Sequence, residues 1–230
     1  MSGPARLVRV PRAFGVGGED MERAALLDLG LVEAEIVAEE TLDQETAVLA
    51  HSLPERPVLM GGCCCTHVGA VRGLAERHGR ISVVWLDAHG DLNTPETSPS
   101  GNLWGMPYRM LLDDGVVQVA DAALIGARSL DQPELEFIAS VGLETTEVGL
   151  SDVVDETAGI YIAFDCDVLD LAEFHCFMPE PDGVAVAHAE DLVARVAAMG
   201  PIVGMGFTGV SADPANEPKL RRFLAAAGMA

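Results

Sequence analysis

The chain has 230 residues, 49% of them hydrophobic, with 36 acidic residues against 14 basic ones and a formal net charge of −22. Such a length supplies one sizeable core, and no linker, repeat or low-complexity tract divides it, so residues 1–230 read as a single domain. The excess negative charge repels phosphate backbones and anionic lipid, which excludes nucleic acid and membrane surfaces as expected partners and favours a small cationic molecule.

The opening stretch MSGPARLVRVPRAFG lacks the apolar core of a signal peptide, and no run approaches a membrane span. The five cysteines, Cys63, Cys64, Cys65, Cys166 and Cys176, are odd in number and three are consecutive, which is no disulfide framework. A reducing cytoplasm is the expected location. In chain order, PVLM (57–60) is the first short run that reads as a strand buried on both faces, and Gly61-Gly62 follow it. Residues 66–78 place Val68, Val71 and Leu74 at helical spacing. ISVVWL (81–86) predicts a strand that ends on Asp87, and AALIGA (122–127) one that ends before Arg128. PELEFIASVG (133–142) predicts a helix with Pro133 at its first position and Gly142 at its close. IYIAF (160–164) predicts a strand ending on Asp165, IVGMGF (202–207) another, and residues 188–199 and 217–227 two more helices. Repeated strand-then-helix order predicts a mostly parallel sheet with helices on both faces, and in such sheets chemistry gathers beyond the carboxyl ends of the strands.

Two of those ends are acidic. Asp87-Ala88-His89-Gly90-Asp91 closes one strand and Asp165-Cys166-Asp167 another. In extended chain, residues two apart share a side, so Asp87 converges with His89, Asp165 with Asp167, and Asp91 joins if the backbone stays extended. Ionised carboxylates crowded at the end of a buried strand repel one another, and no Lys or Arg lies near either segment in sequence. A divalent cation would relieve that repulsion, and carboxylates with one imidazole suit Mn²⁺ better than a soft metal.

With these residues in view, the sequence resembles the arginase–agmatinase–formimidoylglutamase family. VVWLDAHGDLNTP is similar to the family's Asp-Ala-His-x-Asp segment, SPSGNLWGMP (98–107) to its Ser-Gly-Asn-x-His-Gly-x-Pro segment, AFDCDVLD (163–170) to its Ser-x-Asp-x-Asp-x-x-Asp signature, and GFTGVSADP (206–214) to its last core strand. The resemblance implies a three-layer α/β/α sandwich that assembles as a homo-oligomer. It also implies one or two divalent metals, Mn²⁺ first, and hydrolysis of a guanidino or amidino C–N bond by a metal-activated water. Asp87 and Asp165 would bridge the metals, His89 and Asp167 would complete one site, and Asp91 would help hold the other and act in catalysis. Asn93, Ser100, Asn102 and Asp131 would contact substrate.

Three departures fall on functional positions. Cys64 stands where the family has a metal-binding histidine; as a ligand it would favour Zn²⁺ or Ni²⁺, whereas Cys63 and Cys65 read as packing residues. Trp104 replaces a histidine that shuttles protons, and indole has no basic nitrogen. Ser211 replaces the guanidinium-binding glutamate, and its hydroxyl offers no charged pairing; Glu190 and Glu217 are the carboxylates nearby in sequence. Two alternatives therefore stand beside the hydrolase: a single-metal amide or amidine hydrolase with another substrate, and a non-catalytic metal-binding relative.

Overall fold

The computed structural model describes residues 3–230. Seven strands form one sheet: β1 (Arg6–Val10), β2 (Glu33–Ile36), β3 (Pro57–Gly61), β4 (Ser82–Leu86), β5 (Ala122–Ile125), β6 (Ile160–Asp165) and β7 (Ile202–Thr208). Their order is β2-β1-β3-β7-β6-β4-β5, and every pairing is parallel. Eight helices cover it: α1 (Glu19–Ala24), α2 (Leu42–Ser52), α3 (Thr66–His78), α4 (Pro107–Asp113), α5 (Gln132–Val141), α6 (Leu150–Val154), α7 (Val186–Met199) and α8 (Glu217–Ala226).

Strand alternation divides the buried residues into two cores. Met60, Val84, Leu86, Ile162, Phe164 and Phe207 face one side, packed against Val193 of α7 and Phe223 of α8. Leu59, Val83, Trp85, Tyr161 and Val203 face the other, packed against Leu49 of α2, Val71 and Leu74 of α3, and Leu111 of α4. This is a three-layer α/β/α sandwich. Helices cover both faces, so the central strands carry no polar alternation, as in β3, β4 and β7, which are buried throughout.

The predicted strands and helices from residue 57 onward are present, with ends shifted by a residue or two. Pro133 falls at the second position of α5, because Asp131 is its N-cap, and Gly142 closes the helix in the left-handed region at φ 69°. The chain beyond the two acidic strands is not extended. Asp91 is left-handed, at φ 52°, and residues Cys166–Val168 form a 3₁₀ turn. The acidic side chains therefore meet through tight turns and not through strand alternation.

Candidate metal centre

Strands β4 and β6 are neighbours, with Leu86 paired to Phe164, so the segments that follow them leave the sheet side by side. Neighbouring N–H donors then orient the carboxylates of Asp87, Asp165 and Asp167. The His89 N–H donates to Asp87 Oδ1 at 2.6 Å, and the Trp85 indole, two residues back on the same strand, donates to Asp87 Oδ2 at 3.0 Å. The Asp167 N–H donates to Asp165 Oδ1 at 3.0 Å, and the Ala88 N–H donates across to Asp167 Oδ1 at 2.9 Å. His89 Nδ1 lies 2.9 Å from Asp167 Oδ2 and 3.6 Å from Asp87 Oδ1.

Two groups of ligand atoms result, each within 4.8 Å: Asp87, His89 and Asp167, and Cys64, Asp87 and Asp91. Asp87 is common to both. Asp165 joins them through the Cys64 thiol, which donates to its Oδ2 at 2.7 Å. Thr208 Oγ1 also reaches that oxygen, and behind it His67 bridges Thr208 and Tyr161. His67 is therefore a buried brace for this wall, and burial pushes its imidazole down to about 3, so it is neutral. Gly209, at φ 63°, completes the wall; a Cβ there would lie 2.0 Å from Asp165 Oδ1.

These residues fit a divalent cation. Asp87, Asp91, Asp165 and Asp167 are each at most 5% exposed, and Asp91 Oδ2 has no hydrogen-bond partner. Among the described residues no Lys or Arg pairs with any of them; Arg128, the nearby guanidinium, donates only to main-chain carbonyls, including that of Asp167. Burial and the neighbouring carboxylates push Asp91 and Asp167 well above the usual range, and burial together with Asp87 lifts Asp165 to about 6. Burial disfavours charge on His89, yet its hydrogen bonds to Asp167 and Asp87 prevail and push it up to about 12. Negative charge packed this way, with an oxygen left over, is what a metal ion satisfies.

A cavity of about 320 Å³ opens over the cluster, and Cys63, Cys64, Asn93, Ser100, Trp104 and Asp131 are among the residues that line it. Asn93 donates to Asp131 Oδ2 at 3.0 Å. Asn102 is not part of the lining: its Oδ1 accepts the Val16 N–H instead. Trp104 packs edge-to-face on Phe177 as part of the cavity wall. Ser211 lies outside the cavity, and its main chain pairs with His175. Glu190 and Glu217 are also elsewhere, bonded to Arg222 and Arg221 respectively. Cys63 and Cys65 are buried in a small apolar cluster with Met21.

Three residues of the site escaped the sequence reading. Glu134 bonds the N–H groups of Leu92 and Asp131, a capping box legible as Asp-x-x-Glu before an apolar run. Trp85 was legible as the residue two before Asp87 on one strand. Glu180, with Oε1 3.4 Å from His89 Nε2, lies in an irregular stretch with no periodic signal.

The arginase-family model matches residues 2–229. An arginase of Staphylococcus aureus (strain COL) is 34% identical over an alignment of 142 residues, with 51% of this chain and 47% of that protein covered. One from Brevibacillus brevis is 36% identical over an alignment of 140 residues, with 50% and 47% of the two chains covered. The chain thus spans about half the length of these curated relatives in the stretch it matches. Among solved structures, the arginase of Bacillus subtilis superposes with a TM-score of 0.85 at 21% identity, covering 99% of this chain and 98% of that one. Formimidoylglutamase from B. subtilis gives 0.79 at 18% identity, covering 98% and 88%. With sheet order, helical layers and a family match running nearly end to end, the chain belongs to the arginase family.

Proposed function

We propose that the protein is a metal-dependent hydrolase of C–N bonds in guanidino or amidino compounds. The observation that carries this reading is the unpartnered Asp91 Oδ2, buried among three further carboxylates with no arginine or lysine to balance them. A divalent metal held there would supply Lewis-acid polarisation and lower the pKa of a bound water toward neutrality. Asp87 and Asp165 hold the centre from adjacent strands, His89 and Asp167 complete a hard group suited to Mn²⁺, and Cys64 with Asp91 forms a softer one suited to Zn²⁺ or Ni²⁺. The Asp91 oxygen not given to the metal would receive the proton of the attacking water and return it to the leaving amine, a task Trp104 cannot share. Asn93, Ser100 and Asp131 orient the far end of the substrate from the cavity wall.

The test is elemental analysis after expression in manganese- and zinc-supplemented medium, followed by urea and ammonia release from arginine, agmatine and 4-guanidinobutyrate. Asp165→Ala loses the metal, whereas Asp170→Ala keeps it; equal metal content in both contradicts the assignment. Arginine is expected to be a poor substrate, because Trp104 offers no basic nitrogen where the family shuttles protons. Turnover on arginine near ten per second, roughly the middle of the enzymatic range, would overturn that expectation. The missing imidazole at Cys64 favours a second reading, a hydrolase with one tightly held metal; one ion per chain with full activity distinguishes it. The same proposal has residues 1–230 acting as one cytoplasmic domain that self-associates, which light scattering checks.

A further inference from the structure

With Ser211 away from the cavity, another carboxylate must meet a cationic substrate. Outside the metal cluster the cavity wall has three: Asp131, Glu134 and Glu180. Both Glu134 oxygens accept main-chain N–H groups. Asp131 caps α5 and accepts from Asn93. Glu180 differs: Oε1 lies 3.4 Å from His89 Nε2, and its second oxygen receives no hydrogen bond among the described residues.

The backbone is built to hold Glu180 there. It is the centre of Met178-Pro179-Glu180-Pro181-Asp182, whose flanking prolines restrict φ. Met178 and Asp182, at either end, are left-handed at φ 54° and 60°, strain that a non-glycine residue keeps only when its surroundings enforce it. The enforcement is visible. The Phe177 N–H donates to Gly209 O at 2.7 Å, beside the Asp165 wall. Arg128 donates to the carbonyls of Glu180 and Pro181 at 3.2 and 2.7 Å while also holding that of Asp167 at 2.8 Å. One guanidinium thus fixes the Glu180 segment to the metal-binding turn after β6.

We infer that Glu180 is a specificity-determining residue that receives the planar cationic end of the substrate, a guanidinium or amidinium, beside the metal cluster. This rests on the hydrolase reading above. One oxygen steadies the outer ring nitrogen of His89, the usual partnership of a metal-binding imidazole with a carboxylate. The other supplies the charge-assisted hydrogen bond that a neutral isostere cannot match.

The test compares methylguanidinium with methylurea, near-isosteric probes that differ in charge, binding to manganese-loaded protein by calorimetry. Glu180→Gln weakens methylguanidinium by about 10- to 100-fold, the range of a lost charge-assisted bond. At saturating manganese it leaves methylurea affinity unchanged, and Glu180→Ala repeats the pattern. Unchanged methylguanidinium binding in Glu180→Gln, or equal loss of both probes, overturns this inference alone. A manganese-loaded parent protein that binds neither probe overturns it together with the hydrolase reading.

Discussion

Gly209 shows how tightly single positions are specified. Its left-handed φ and the 2.0 Å approach of Asp165 Oδ1 leave no room for a Cβ. Gly209→Ala is expected to displace the Asp165 carboxylate and weaken metal binding by at least about tenfold, with a stability loss of about 1–3 kcal/mol from backbone strain. Equilibrium dialysis and thermal melts read the two effects separately. Glu45 of α2 offers a pH test at a group outside the candidate ligand set. It is fully buried, neither oxygen has a partner, and burial followed by the nearby Cys63 pushes it up to about 9 from the ordinary 4.5. Between those values the folded chain holds a proton that the unfolded chain has released. This site's contribution to stability is therefore full below 4.5 and lost as pH rises toward 9, at about 1.4 kcal/mol per pH unit at most. Glu45→Gln should gain stability relative to the parent as pH is raised through that window. A pH-independent difference in melting temperature would refute it.

At the scale of elements, α5 is tied to the metal-binding loop by Glu134, which is nearly fully buried. Glu134→Ala leaves the N–H groups of Leu92 and Asp131 unpaired and is expected to cost about 1–3 kcal/mol. It should also loosen Asp91; hydrogen exchange at Leu92 that stays as slow as in the parent would count against this linkage. Elements were legible where burial on both faces left an unbroken apolar run, as in β3, β4 and β6. β1 and β2 were missed for opposite reasons. β1 carries Arg6 and Arg9, and Arg9 sends its guanidinium to Ala25 O, Leu27 O and Glu33, so its charge is absorbed without interrupting the strand. β2 is a four-residue edge strand, Glu33-Ala34-Glu35-Ile36, mostly exposed and without a clear pattern. The candidate metal residues were legible because two acidic pairs ended predicted strands. The left-handed turn at Asp91 left no mark in residue type, and the course of residues 171–185 over the cavity is set by Arg128 and Gly209, contacts that no local pattern encodes.

For the whole molecule, a net charge of −22 is self-repulsive in the compact state. Raising ionic strength from low salt to about 0.15 M screens that repulsion over roughly 8 Å and should raise the melting temperature; a flat or falling trend would point to charges already balanced locally. No helix among the described residues is long and apolar enough to cross a membrane. The sheet order has a consequence for how the chain assembles. β7 is the last of the sheet's strands in chain order, yet it occupies the middle, between β3 and β6. Until it emerges, the nascent polypeptide can form only two half-sheets, β2-β1-β3 and β6-β4-β5, each with an open hydrophobic border where β7 belongs. Translation arrested before residue 202 should therefore yield a protease-sensitive, chaperone-dependent species even though the acidic strand ends are already made, and β7 acts as the keystone that closes both halves.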